Sequence, residues 1–190
     1  MKNRKNMRTH SGFNLVEAAI VLGVVGLVIG GIWVAASTLR QNMLVNQTAS
    51  AIQTIVSEAN KIYTNMPRPA AATNLTPLMI QSGAIPSDLV MGTTAKTPWG
   101  TSLAVQYRVL PNKLQVYLQN LPKNLCYQLM NRLLANTDTS SGIGPQGLDI
   151  IYFPSAGNIV VGQTQAMIAN TCDSDHTGWT WLEFQFPAPR

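Results

Sequence analysis

The chain has 190 residues, enough for one domain of ordinary size or for a smaller domain with a special segment attached. Only 11% of the residues are charged, against about a quarter in soluble domains, and residues 18–39 include none. The net charge of +5 does not mark a nucleic-acid-binding body: Lys2, Arg4, Lys5 and Arg8 all precede the apolar stretch, and taking those four from the 13 basic residues leaves nine against 8 acidic ones. A short basic run before an apolar segment reads instead as a cytoplasmic orientation signal.

The segment 13–36 reads FNLVEAAIVLGVVGLVIGGIWVAA, and its only charge is Glu17. As a helix of about 36 Å it is long enough to span a bilayer core with some tilt. Gly23, Gly26, Gly30 and Gly31 would each weaken an isolated helix by up to about 1 kcal/mol relative to Ala. In lipid, small residues let helix backbones approach, and Gly26 with Gly30 forms a GxxxG pair. The plainer reading is that glycine is common in membrane helices.

No proline interrupts the chain before Pro67. Leu39, Met43, Leu44, Ala51, Ile52, Ile55, Val56, Ala59, Ile62, Tyr63 and Met66 recur at three- and four-residue steps, which predicts an amphipathic continuation over 37–66. The simplest account is a single helix over 13–65, about 80 Å long. Its one-sided second half needs a partner surface, which the rest of the chain can supply.

Residues 67–97 are rich in Pro, Ala, Thr and Ser and read as a loop with one short helix over 75–82. Beyond Trp99 the pattern turns to strands. Residues 103–110 and 114–120 alternate and form a hairpin across Pro111-Asn112. Residues 122–135 read as a helix with Cys126, Leu129, Met130, Leu133 and Leu134 on one side, and 136–147 as a polar turn region. Strands follow over 148–153 and 158–161, then a short helix over 163–172 and a closing strand over 180–186. The expected architecture is an α+β head, residues 67–190, in which an antiparallel sheet of four or five strands packs on the amphipathic half-helix.

Cys126 and Cys172 both lie downstream of the apolar segment. If that segment carries them across a membrane, they reach an oxidising compartment, where a disulfide is expected. The alternative is two unpaired buried thiols.

Residues 8–17 read RTHSGFNLVE: basic residues, then Gly12, the large apolar Phe13, and Glu17 five positions after the glycine, with the long apolar helix following directly. This resembles the class III signal of type IV prepilins and of the related type II secretion pseudopilins. The resemblance implies a pilin fold, with a long N-terminal helix packed on an antiparallel sheet head whose loop is closed by a disulfide. It implies that a prepilin peptidase cuts the leader 1–12 from the chain at Gly12–Phe13, and that Phe13 becomes the mature, N-methylated terminus. Glu17 takes the role of setting register during assembly. The implied partners are copies of the chain itself as a homopolymer, the prepilin peptidase, the assembly machinery of the inner membrane, and the lipid bilayer before assembly; nucleic acid is not among them. The implied course runs from an inner-membrane precursor to an extracellular pilus, or fimbrium, that serves adhesion or cell contact, conjugation included.

Elementary energetics bears on Glu17 independently. A carboxylate inside an apolar membrane helix costs about 2.5–3.5 kcal/mol on insertion scales, and no basic residue lies in the apolar run. Cleavage after Gly12 creates a partner, the free amine of Phe13, so that Glu17 of an incoming subunit can pair with the amine of a neighbour. The alternatives are a glutamate close enough to the interface to stay hydrated, or one that takes up a proton in place.

Thr97-Pro98-Trp99-Gly100 resembles a turn found at the start of the sheet in pilins, though a generic turn with a core tryptophan reads the same way. Leu121-Pro122-Lys123-Asn124-Leu125-Cys126, and Cys172 before a late strand, are similar to type IVb major pilins of the conjugative thin-pilus and bundle-forming kinds; the pair Cys126–Cys172 resembles the staple of their C-terminal loop. Phe13 and the short leader depart from that branch, and a minor pilin or a pseudopilin fits the same signal.

No enzymatic constellation is apparent, and no cofactor is expected. His10 lies in the leader, and His176 stands in a polar loop near Asp173 and Asp175, where a solvated surface competes with a metal site as the reading. The glycines of 23–31 do not follow a strand, as a phosphate loop would. The main rival is an ordinary secreted domain released after Val34-Ala35-Ala36, starting at Ser37; another is an uncleaved single-pass anchor. Both leave Gly12 and Glu17 without a role.

Overall fold

Asn14 starts the first helix: its side-chain Oδ1 accepts from the Val16 N–H at 3.3 Å and its carbonyl accepts from the Ala18 N–H at 3.1 Å, the cap for which Asn is among the best residues. The computed structural model describes residues 14–108, 113–134, 148–153, 157–160, 164–173 and 178–185, the side chains of 65, 157 and 160 excepted. Helix α1 runs over Leu15–Asn65, as the unbroken pattern predicts. Its threonines are satisfied internally: the hydroxyls of Thr48, Thr54 and Thr64 donate to the carbonyls of Leu44, Ser50 and Asn60, four residues back. Pro67, which has no N–H to donate, follows its end.

The chain divides into two units, Met1–Arg40 and Gln41–Arg190. In the first, the described residues are helix alone, and its large apolar side chains are exposed on every side, from Leu15 and Val16 through Ile29 to Trp33 and Val34. The second unit holds the core. Val45, Ala49, Ile52, Ile55, Val56 and Ala59 of α1 are buried in one cluster with Leu103, Val105, Val116, Leu118, Leu182 and Phe153 of the sheet. The buried stripe begins at Val45, so Leu39 and Met43, expected on it, are exposed, as is Met66 past the last turn. Removing the fully buried Ile55 side chain leaves a cavity, so Ile55→Ala should lower stability by about 3 kcal/mol in urea unfolding. Thr54→Ala, on the exposed face beside it, should stay within about 0.5 kcal/mol.

Among the described residues one sheet of eight strands forms: β1 Thr73–Asn74, β2 Val90–Met91, β3 Thr94–Lys96, β4 Ser102–Arg108, β5 Lys113–Gln119, β6 Leu148–Phe153, β7 Gly157–Val160 and β8 Trp179–Gln185. This exceeds the four or five strands expected, and the region 67–97 is not simply a loop with one helix. It carries α2, Thr76–Gln81, as expected, but also β1, β2, β3 and a 3-10 turn at Ser87–Leu89. These strands of two or three residues are too short to show alternation; β4 offers an edge to β1 and β3, and β3 in turn to β2. β3 pairs with β4 at Leu103 and Ser102, and β1 pairs with the same strand at Tyr107 and Gln106. Thr76 reinforces the contact by accepting the Val105 N–H at 2.9 Å.

The order across the sheet is β2-β3-β4-β5-β8-β6-β7, with β1 beside β4. β4 and β5 are antiparallel neighbours, as the hairpin reading has it; Pro111-Asn112 lies outside the described residues. The last strand, β8, is inserted between β5 and β6, pairing with β5 over seven residues. Two glycines hold tight corners. In the Thr97-Pro98-Trp99-Gly100 turn, the Gly100 N–H donates to the Thr97 carbonyl at 2.9 Å with φ +89°, and the Trp99 indole N–H donates to the Gln119 carbonyl at 3.1 Å. At the entry to β8, Gly178 at φ +112° exchanges hydrogen bonds with Asn120, its N–H reaching Asn120 Oδ1 at 2.8 Å.

Helix α3, Lys123–Leu134, buries Leu125, Cys126, Leu129, Met130 and Leu133. Helix α4, Gln165–Cys172, is capped by Thr164, whose hydroxyl accepts from the Met167 N–H at 3.5 Å. The Cys126–Cys172 disulfide ties the two helices at a Cα–Cα distance of 5.6 Å. The fold is thus a long N-terminal helix, apolar in its first half, and an antiparallel α+β head stapled by one disulfide.

Candidate functional site

Glu17 lies in the first turn of α1, exposed, and among the described residues it has no ion pair. Around it the helix presents Leu15, Val16, Ile20, Val21 and Leu22 to the outside. An 18-residue window of α1 has a mean hydropathy of 2.5 and is 0% buried, so the helix is long and apolar enough to cross a membrane. A Cβ built on Gly23, Gly26, Gly30 or Gly31 would meet nothing within 4 Å, so nothing within the described chain uses the room these glycines leave. Contiguous exposed apolar surface of this extent is foreign to a monomer in water; it calls for lipid or for other helices. Gly12 and Phe13, the expected scissile pair, lie outside the described residues.

The second expected feature is formed: Cys126 and Cys172 are bonded, and both are buried. The alternative of two free thiols is thereby set aside. Near them a shallow groove of about 700 Å³ runs between α3 and α4, lined in part by Lys123, Tyr127, Gln128, Ala169 and Asp173. Asp173, named above with His176 and Asp175, pairs with Lys123 Nζ at 2.8 Å; His176 and Asp175 lie outside the described residues. The hydrogen bond and charge of Lys123 hold the Asp173 carboxyl below its ordinary value. A depressed carboxylate stabilises the fold above its unfolded pKa, and that contribution is lost as pH falls through the folded one. Both side chains are well exposed, so the readout is the titration itself. Lys123→Ala should move the Asp173 midpoint upward when followed by NMR.

A third cluster, on the outer face of the sheet, was not singled out from sequence. Cross-strand register sets Tyr117 beside Trp181 and Trp181 beside Tyr152. Tyr152 stacks on Trp181 with centroids 3.9 Å apart, and Tyr117 meets the rings of Trp181 and Trp179 at 5.7 and 6.1 Å. Beside this aromatic row, Lys113 Nζ bonds Glu183 Oε2 at 3.0 Å and Asp149 Oδ2 at 2.5 Å. Gln115 Nε2 donates to Glu183 Oε1 at 2.6 Å, and Tyr117 donates its hydroxyl proton to Gln115 Oε1. Burial alone would lower the Lys113 ammonium, but the hydrogen bonds and charges of Asp149 and Glu183 outweigh it and raise it. Burial likewise pushes the Tyr117 phenol up. The signal for this cluster was present within single strands. Alternation puts Lys113, Gln115 and Tyr117 on one face of β5 and Trp179, Trp181 and Glu183 on one face of β8; only the strand order brings the two sets together.

Compared with known proteins, the chain matches no family model and no curated protein.

Proposed function

We propose that this chain is the structural subunit of a type IV pilus-like filament, made as a prepilin, cut between Gly12 and Phe13, and polymerised through its N-terminal helix. The observation that carries the reading is a single carboxylate, Glu17, in the first turn of a helix whose apolar half is exposed on every side. That helix continues into a disulfide-stapled antiparallel head. As a membrane precursor the apolar half would lie in lipid. In a filament the same surface would be covered by the helices of other copies, with Gly26 and Gly30 allowing close approach. Glu17 would then pair with the Phe13 amine of a neighbour, giving its charge a partner and fixing axial register. The heads would form the outer surface and carry adhesion or cell contact. The type IVb major pilins are the branch we favour, on the segment 121–126 and the Cys126–Cys172 loop.

The test is the intact mass and N-terminal sequence of the chain in material sheared from the cell surface. A terminus at Phe13, one methyl group heavier than the sequence requires, is the expected result. A terminus at Ser37 means an ordinary secreted domain, and one at Met1 an uncleaved anchor; either overturns the proposal.

A further inference from the structure

The cluster formed by Lys113, Asp149 and Glu183 has the parts of a condensation site. Lys113 begins β5, Asp149 sits in β6, and Glu183 lies on β8, the strand between them. The register slips by one residue at Asp149, since Leu148 pairs with Phe184 and Ile150 with the adjacent Glu183. The extra residue of such a bulge is free to be re-aimed, and here its carboxylate reaches Lys113 across the intervening strand. The Lys113 nitrogen is 2.5 Å from Asp149 Oδ2 and 3.0 Å from Glu183 Oε2, and the three side chains are only 11%, 19% and 11% exposed. Holding such charges away from water is unfavourable, whereas a neutral amide in the same place would not carry that cost.

The two carboxylates are not equivalent. Glu183 is engaged on its other oxygen by Gln115 at 2.6 Å, with Arg108 3.9 Å away, which fixes its Oε2 against the Lys113 nitrogen as the group placed to take up a proton. Among the described residues the Asp149 carboxylate has Lys113 as its one partner, leaving its carbon as the site of attack.

We infer that Lys113 and Asp149 join in an intramolecular isopeptide bond, with Glu183 as the proton carrier. A proton passes from the Lys113 ammonium to Asp149 Oδ2, which it contacts, so that a neutral amine faces a neutral carboxyl; the amine attacks Asp149 Cγ while Glu183 takes the second proton from the nitrogen. The new bond is Nζ–Cγ, and the bond broken is Cγ–O. Two of the ammonium's three protons end on the departing oxygen, which leaves as water; Glu183 delivers one of them and finishes as it began. An ammonium and a carboxylate thus give an amide and water, with no oxidant, reductant or other co-reactant. Fixed proximity supplies much of what the same reaction lacks in solution. The product ties β5 to β6 over β8, a covalent closure separate from the disulfide between α3 and α4. The inference is independent of the filament reading.

The experiment is intact mass spectrometry of the full-length chain, purified in detergent, reduced and alkylated, with its termini read from a peptide map. The expected mass is lighter by one water than those termini require, with a proteolytic peptide pair linked through Lys113 and Asp149. Lys113→Arg keeps the charge but removes the amine nucleophile, and Glu183→Gln removes the proton carrier; both should return the full mass. A wild-type chain at full mass after prolonged incubation at neutral pH overturns the inference, as does a water loss that maps elsewhere. A link that forms undiminished in Glu183→Gln removes Glu183 from the reaction. The wild-type result decides the bond itself even where a variant fails to fold.

Discussion

Glu17→Ala should give a chain that is still cut after Gly12 yet is recovered from no surface filament. In the proposed mechanism cleavage depends on the leader and the glycine, which the substitution leaves alone. Assembly in the proposed mechanism depends on the Glu17 carboxylate meeting the Phe13 amine of a neighbouring subunit. Without it, an ammonium enters a nonpolar helix bundle with no counter-charge, and leaving one partner of a buried pair alone costs about 3–5 kcal/mol. At 1.4 kcal/mol for each factor of ten, affinity for the filament end falls on the order of a hundredfold or more. The measurement pairs N-terminal sequencing of membrane-retained chain with immunodetection in sheared surface material. Normal filaments from the variant would refute the register role of Glu17; an uncut chain would show that the residue acts earlier, at the peptidase.

The second large effect is on the head. Replacing Cys126 and Cys172 together by Ser should cost roughly 4 kcal/mol, because the chain-entropy relation assigns about that much to a loop closed over 46 residues. With a urea dependence of about 2 kcal/mol per molar, the unfolding midpoint moves down by about 2 M. Tryptophan fluorescence reports it, since Trp99, Trp179 and Trp181 all lie in or beside the sheet. Wild-type chain unfolded under reducing conditions should follow the same curve as the double substitution. A midpoint unchanged in both would mean that α3 and α4 are held by packing alone.

How far the sequence could be read varies from element to element for physical reasons. α1 was legible almost to the residue, because nothing from Leu15 to Asn65 breaks a helix and Pro67 stops one. Strand β6 was legible at both ends, since LDIIYF is a short apolar run between polar stretches. α3 and α4 were found within two residues. β1, β2 and β3 were missed: two or three residues carry no period, and their pairing comes from the edge of β4 for β1 and β3 and from β3 for β2. The candidate sites divide in the same way. The pairing of Cys126 with Cys172 was expected before any geometry, on the condition that the apolar segment carries both into an oxidising compartment, and the structure decides it against two free thiols. The Lys113–Asp149–Glu183 cluster could not be assembled from the single-strand patterns, its members being separated by 36 and 34 positions and lying on three strands.

Local pattern therefore determined the helices, the longer strands, the apolar exposed segment with its single carboxylate, and the cysteine pair. Each depends on neighbours a few positions away or on the solvent a segment can tolerate. Tertiary structure alone decided that β8 enters between β5 and β6, and that a bulge at Asp149 turns its carboxylate toward Lys113. It also placed Tyr117, Trp181 and Tyr152 in one row. Alternation says which face of a strand a side chain occupies, but not which strand lies beside it. That choice is made by the packing of Leu114, Val116, Leu118, Leu182 and Phe184 into one core with α1, and the chemistry of the outer face follows from it.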